Sequence, residues 1–217
     1  MKLQQYLNIN YSKEEQKNLT FLNCSFENIT SLEGIENLTY LEVLYCDNNQ
    51  LTSLIGIENL TLLTYLSCDN NQLTDLKGIE NLSYLREFFC SHNQLTSLIG
   101  IENLTLLEVL YCYNNKITDL EGIENLTNLK YLNCNNNQLI DLKGIEKLTN
   151  LKSLICSSNQ LTSLIGIEKL AFLEYLSCDN NQLPYNSDNL EDILKGIKTE
   201  KRKSVIESII ITFKTEI

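Results

Sequence analysis

The chain has 217 residues, of which 43% are hydrophobic, and a formal net charge of −11. That length supports one substantial domain. The acidic balance excludes nonspecific nucleic-acid binding, which needs a basic surface, and disfavours docking on anionic lipid.

The opening residues, MKLQQYLNIN, carry one lysine and then alternate polar and apolar positions. No apolar leader region or small-residue cleavage site follows, so no secretory signal is expected. No apolar run approaches the roughly 18–20 residues that span a bilayer. Ser12-Lys13-Glu14-Glu15 is a capping box, which predicts a short helix covering the open N-terminal edge, with residues 1–18 as an N-terminal cap.

From Leu19 the chain repeats. Its eight cysteines, Cys24, Cys46, Cys68, Cys90, Cys112, Cys134, Cys156 and Cys178, are spaced 22 residues apart throughout. Such a period marks a stacked repeat and takes precedence over segment-by-segment reading. The copy from Leu41 reads LEVLYCDNNQLTSLIGIENLTY and the next, from Leu63, LTYLSCDNNQLTDLKGIENLSY. About eight coils fill residues 19–183. The first is imperfect, with Glu27 where later copies carry Asn49, Asn71, Asn93, Asn115, Asn137, Asn159 and Asn181.

Each column has a physical reading. The pattern Leu41, Leu44, Cys46 predicts a short strand with Leu44 and Cys46 on one side. Stacked coils then build a parallel sheet. The asparagine column is expected to turn inward and bond neighbouring backbone where the chain leaves the sheet. Leu51, Leu54, Ile57, Leu60 and Leu63 form the opposite wall, at a spacing that suits 3₁₀ or irregular turns. The column Ser31, Ser53, Asp75, Ser97, Asp119, Asp141 and Ser163 is expected to cap those turns. Gly34 and its six successors call for positive φ or close packing. Glu36, Glu58, Glu80, Glu102, Glu124, Glu146 and Glu168 form an acidic row, read as a solvated face in preference to a docking strip for a basic partner.

The cysteine column does not fit a metal site, whose ligands must converge, and holds no C-x-x-C pair. Parallel Cβ vectors about 4.8 Å apart also suit a disulfide poorly. Free, buried cysteines acting as small apolar residues are expected.

The copies break off at Pro184, the chain's one proline. Leu190, Ile193, Leu194 and Ile197 then fall at helical spacing. Ser204-x-x-Glu207 is a second capping box, followed by Val205, Ile206, Ile209, Ile210 and Phe213 on one stripe. Residues 184–217 are therefore expected to form a C-terminal helical cap, with a partner-binding or membrane-surface helix as the alternative.

The motif L-x-x-L-x-C-x-x-N-x-L, with L-x-G-I-E-x-L downstream, resembles the leucine-rich repeat family, whose period is about 20–29 residues. It is similar to the 22-residue class of internalins and a phosphatase-1 regulatory subunit, with cysteine in the third leucine position. The resemblance covers Leu19–Leu183. It implies an α/β solenoid, a horseshoe with a parallel concave β-sheet, short convex 3₁₀ or irregular turns and helical caps. It also implies binding through the concave face.

No phosphate loop, nucleophile elbow or metalloprotease motif is present, and the single histidine, His92, reads as a drifted surface residue. Asp47, Asp69 and Asp179 read as solvated strand ends rather than calcium ligands. No catalysis, cofactor or metal is expected. The candidate binding residues are Tyr45, Tyr65, Phe89, Tyr111, Tyr113, Tyr131 and Tyr175 on the outward strand face, a tyrosine-rich composition suited to protein contacts. The same residues also simply favour strands.

The expected function is a monomeric, cytoplasmic scaffold that binds a partner protein, not nucleic acid or membrane. The alternatives are a regulatory subunit acting on an enzyme such as a phosphatase, and a structural or cell-surface adhesion protein. Asn49–Leu63 and Asn93–Leu107 are identical, so recent duplication has partly set the face.

Overall fold

The computed structural model describes residues 1–183, and the helical cap expected over residues 184–217 lies outside the described residues. Two helices open the chain, α1 at Leu3–Asn10 and α2 at Lys13–Lys17. The capping box holds α2: the Glu15 N–H donates to Ser12 Oγ at 3.3 Å, and the Ser12 N–H donates to the Glu15 carboxylate at 2.7 Å. Yet α2 buries none of its residues. The cover over the first coil comes instead from α1, whose Leu3 and Leu7 are fully buried. The Leu3 N–H also donates to the Ser31 carbonyl at 2.9 Å. The polar–apolar alternation of the first ten residues hid this leucine pair at i, i+4, the spacing of one helix face.

Eight three-residue strands follow: β1 (Phe21–Asn23), β2 (Val43–Tyr45), β3 (Tyr65–Ser67), β4 (Glu87–Phe89), β5 (Val109–Tyr111), β6 (Tyr131–Asn133), β7 (Ser153–Ile155) and β8 (Tyr175–Ser177). They form one parallel sheet in chain order, and each residue pairs with the one a full repeat later, as Leu22 does with Leu44. The middle residue of every strand points inward and is buried, Phe88 being the bulkiest. Its two neighbours point outward, following the period-two alternation of a strand. The solenoid is thus a leucine-rich horseshoe with a continuous apolar strip inside.

The convex side carries 3₁₀ turns at Ile35–Asn37, Ile57–Asn59, Ile123–Asn125, Ile145–Lys147 and Ile167–Lys169. Each begins after a glycine in the left-handed region, with φ between 92° and 111° at the five glycines. A Cβ on Gly78 would also meet the Leu54 carbonyl oxygen at 3.0 Å. Glycine therefore occupies the capping position, and the serine/aspartate column does a different job from the one its composition predicts. Ser53 Oγ accepts from the Ile55 N–H and Asp75 Oδ1 from the Lys77 N–H, both at 3.1 Å, closing local turns one step earlier. The acidic row is partnered too. The Glu58 carboxylate accepts the Gly56 N–H at 2.6 Å, and the other six glutamates do the same for their own glycines. That bond satisfies an amide left without a partner at the turn.

The asparagine column does turn inward. Asn93 is 8% exposed. Its Oδ1 accepts the Leu73 N–H at 2.9 Å, and its Nδ2 donates to the Cys68, Cys90 and Ser91 carbonyls at 3.0–3.1 Å. One side chain thereby ties two coils together.

All eight cysteines are free and buried. Cys46 Sγ donates to the Ser67 carbonyl of the next coil at 3.2 Å. Burial pushes the thiols up, to about 12 at Cys24, Cys134 and Cys178 and well above the ordinary value at the others. Since thiolate is the reactive form, native protein should react with a thiol reagent at pH 8 at least ~100-fold more slowly than denatured protein, which should label at all eight positions. Rapid labelling of most thiols in the native state would contradict a buried ladder.

Candidate functional site

The outward residues of β1–β5 bring five rings into one row. Phe21 lies 5.8 Å from Tyr45 between ring centroids, Tyr45 lies 4.7 Å from Tyr65, Tyr65 lies 5.3 Å from Phe89, and Phe89 lies 5.2 Å from Tyr111. These spacings are those of favourable aromatic pairs. The row zigzags between the two outward columns, because Phe21 and Tyr65 hold the first strand position and Tyr45, Phe89 and Tyr111 the third. Parallel pairing makes this possible, since coils about 4.8 Å apart bring rings within stacking distance.

Four of the seven residues expected from the sequence, Tyr45, Tyr65, Phe89 and Tyr111, fall in this row. The structure sets the other three apart from it. Tyr113 lies two residues beyond the end of β5 and packs edge-on against His92 at 5.1 Å. Tyr131 and Tyr175 are exposed on β6 and β8 and make no ring contact among the described residues. Phe21, 52% exposed at the head of the row, is the addition. Its signal was its column: it occupies in the imperfect first copy the place that Val43 and Tyr65 hold later. Tyr40, Leu62 and Tyr84 form a further exposed apolar ridge, each just before the leucine that leads into β2, β3 or β4.

A polar ladder borders the row where the chain leaves the strands. Asp47 accepts from the Ser67 hydroxyl, and from the Asp69 N–H at 2.9 Å. Asp69 accepts from the Ser91 N–H at 2.6 Å. Asp179 accepts from the Ser157 and Ser177 hydroxyls at 2.7 and 2.9 Å. The aspartates expected to be solvated strand ends are thus bonded between coils. Burial, with Asp47 adding to it, pushes the Asp69 carboxyl up to about 6. Burial, a hydrogen bond with Tyr45 and the negative charges of Asp47 and Glu87 all push the Tyr65 phenol up.

The raised Asp69 value has a stability consequence. Between the unfolded value of 3.8 and the folded value of about 6 the native state holds the extra proton, so this group favours folding as pH falls through that window and opposes it above. Asp69→Asn should therefore stabilise the protein at pH 7.5 by about 1 kcal/mol, a figure reduced for partial exposure, and flatten the dependence between pH 4 and 7. Asn135 already fills this column in another coil. Thermal unfolding of the two proteins at pH 5 and 7.5 measures the difference, and equal shifts at both pH values would contradict it.

His92 belongs to a different column, the residue before the inward asparagine. It stands at φ 53°, alongside Asn48, Asn70, Asn114, Asn136, Ser158 and Asn180 at 50–55°. Asparagine dominates there because it tolerates the left-handed conformation better than most residues. At the other border of the face, Arg86 reaches Glu108 at 2.9 Å, and Lys130 pairs with the second oxygen of the same carboxylate.

Comparisons with known proteins agree with this architecture. The family described as "Leucine Rich repeats (2 copies)" matches residues 17–61, 41–83, 85–125 and 105–148, together more than half of the chain. Among solved structures, internalin C2 from Listeria monocytogenes is 28% identical, with a TM-score of 0.77, over 84% of this chain and 80% of that one. Internalin F from the same organism is 30% identical with a TM-score of 0.63, over 85% of this chain and 61% of its own. The functional domain of InlJ from Listeria monocytogenes, which includes a cysteine ladder, is 29% identical with a TM-score of 0.58, over 86% of this chain and 49% of that one. No curated protein matched in a sequence search. With its in-register strands, inward asparagines and matched repeats, the chain belongs to the leucine-rich repeat family.

Proposed function

We propose that this protein is a non-catalytic scaffold that binds a partner protein through its concave sheet, with Phe21, Tyr45, Tyr65, Phe89 and Tyr111 as the centre of contact. The observation that carries the reading is the unbroken ring row across β1–β5. Half-buried aromatic rings that touch one another, with Phe21 exposed at the head, give a contact surface at low entropic cost, because two side-chain torsions fix each ring. The fold supports the same reading, since leucine-rich repeats resembling internalins typically serve as interaction scaffolds. The convex glutamates support it less well as a site, because each is bonded to its own glycine.

The cytoplasm is proposed as the setting, supported by eight cysteines of which none is spent on a disulfide. Recovery of the native protein from outside the cell would overturn that placement. Capture from native lysate under reducing conditions, wild type beside the Tyr65→Ala/Phe89→Ala/Tyr111→Ala form, tests the binding reading. A protein retained by wild type and lost by the variant supports it, and equal retention by both would move the site elsewhere.

A further inference from the structure

We propose that the partner segment lying on β1–β5 is basic, presenting arginine or lysine side chains to the ring row; this inference rests on the concave-face reading above. The charge on the sheet face changes where the ring row ends. The residues leading into, facing out of and following β1–β5 include the carboxylates Glu42, Asp47, Asp69, Glu87 and Glu108 and a single cation, Arg86. The corresponding positions around β6–β8 hold Lys130 and Lys152 against Glu174 and Asp179, which balance. Negative charge and stacked rings thus coincide on the same five strands.

The one cation of that half is occupied. Arg86 is bound to Glu108, which Lys130 also engages, so this carboxylate is neutralised within the chain. Glu42, Asp47, Asp69 and Glu87 form no ion pair among the described residues. Their bonds, where they have them, come from uncharged hydroxyls and amides: Asp47 binds Ser67 and the Asp69 N–H, and Asp69 binds the Ser91 N–H. Glu87 pairs in strand register with Tyr65, and Asp47 lies on the other side of that ring's coil.

Ring faces attract cations through their quadrupole, and a guanidinium also stacks flat on them. Carboxylates beside the rings add the counter-charge. A face of uncompensated carboxylates and aromatic rings is complementary to arginine and lysine, and repels an acidic segment. An apolar segment would use the rings and leave the carboxylates desolvated without a counter-charge.

Selection of a phage-displayed random 12-residue peptide library on the immobilised full chain tests this. Recovered sequences should be enriched in arginine and lysine by at least ~2-fold over the unselected library. They should lose about 10-fold or more in affinity against Asp47→Asn/Asp69→Asn/Glu87→Gln. They should keep their affinity for Glu14→Gln/Glu33→Gln/Glu121→Gln, which removes the same charge from the cap and convex turns. Sequences that need the rings, shown by loss on Tyr65→Ala/Phe89→Ala/Tyr111→Ala, but lack basic residues would overturn the inference and leave the concave-face reading standing. So would basic sequences that are insensitive to the first variant or equally sensitive to the second. Recovery of no ring-dependent sequence would remove both.

Discussion

Asn93→Ala should lower the unfolding free energy by about 3 kcal/mol. The alanine would leave the buried Leu73 N–H without its acceptor and take one of two donors from each of the Cys68 and Cys90 carbonyls, which keep Asn71 and Asn115. Each buried polar group left unpaired costs roughly 1–3 kcal/mol. A solenoid adds a second signature, because each coil is stabilised only by its neighbours. A break at the centre should separate the two flanks, so that urea unfolding loses its single steep transition and becomes broad or biphasic. Asn181, in the last described coil and less buried, makes the same set of bonds to Leu161, Cys156, Cys178 and Asp179. Asn181→Ala should cost less and leave a single transition, because its loss frays an end rather than dividing the array. Equal, small effects at both positions would show that the inward asparagines do not hold the coils together.

Replacing Tyr65, Phe89 and Tyr111 by alanine should weaken partner binding by at least ~100-fold, since anchoring aromatic residues at an interface typically contribute about 1–2 kcal/mol or more each. The fold should survive. The three rings lie on the outward face, while the buried wall beneath them is made by Leu66, Phe88 and Leu110 with Cys68, Cys90 and Cys112. The strand hydrogen bonds are main-chain and unchanged, as in the Cys68 N–H to the Phe89 carbonyl at 2.8 Å. Calorimetry of the partner complex, with circular dichroism of the free variant, separates lost contact from lost structure. Retained affinity with intact structure would remove the rings from the interface.

The fold was legible because every coil restates it. A single copy would leave Leu41–Cys46 ambiguous between a strand and part of a helix, whereas the cysteine spacing fixes both period and register. Buried columns were legible for the same reason, down to the inward turn of Asn49 and its equivalents. The roles of small polar residues were harder to read. Serine and aspartate at positions such as Ser53 and Asp75 are good helix caps in isolation, but Gly56 and Gly78 occupy the capping place with positive φ, so those side chains close the preceding turn. The cover of the first coil was misplaced because Leu3 and Leu7 show only as two leucines in a polar stretch.

The site was half legible. Composition selects aromatic residues on the outward columns, but which rings touch depends on strand register and on the choice of column in each coil. That is how Phe21 joins Tyr45 while Tyr131 and Tyr175 stand apart, with Asn133, Ser153, Ile155 and Ser177 around them in the outward columns. Asp69 also needed the structure, because the Ser91 N–H it accepts from and the Asp47 charge that acts on it belong to the two neighbouring coils rather than to its own sequence neighbours.

The most direct test of the account compares two alanine sets against the same captured partner. One set replaces Tyr65, Phe89 and Tyr111 in the ring row, and the other replaces Tyr131 and Tyr175 on the same face beyond it. Loss of about 100-fold in affinity for the first set, with the second within about threefold of wild type, is the predicted result. Loss confined to the second set, or to neither, would contradict a binding centre on β1–β5.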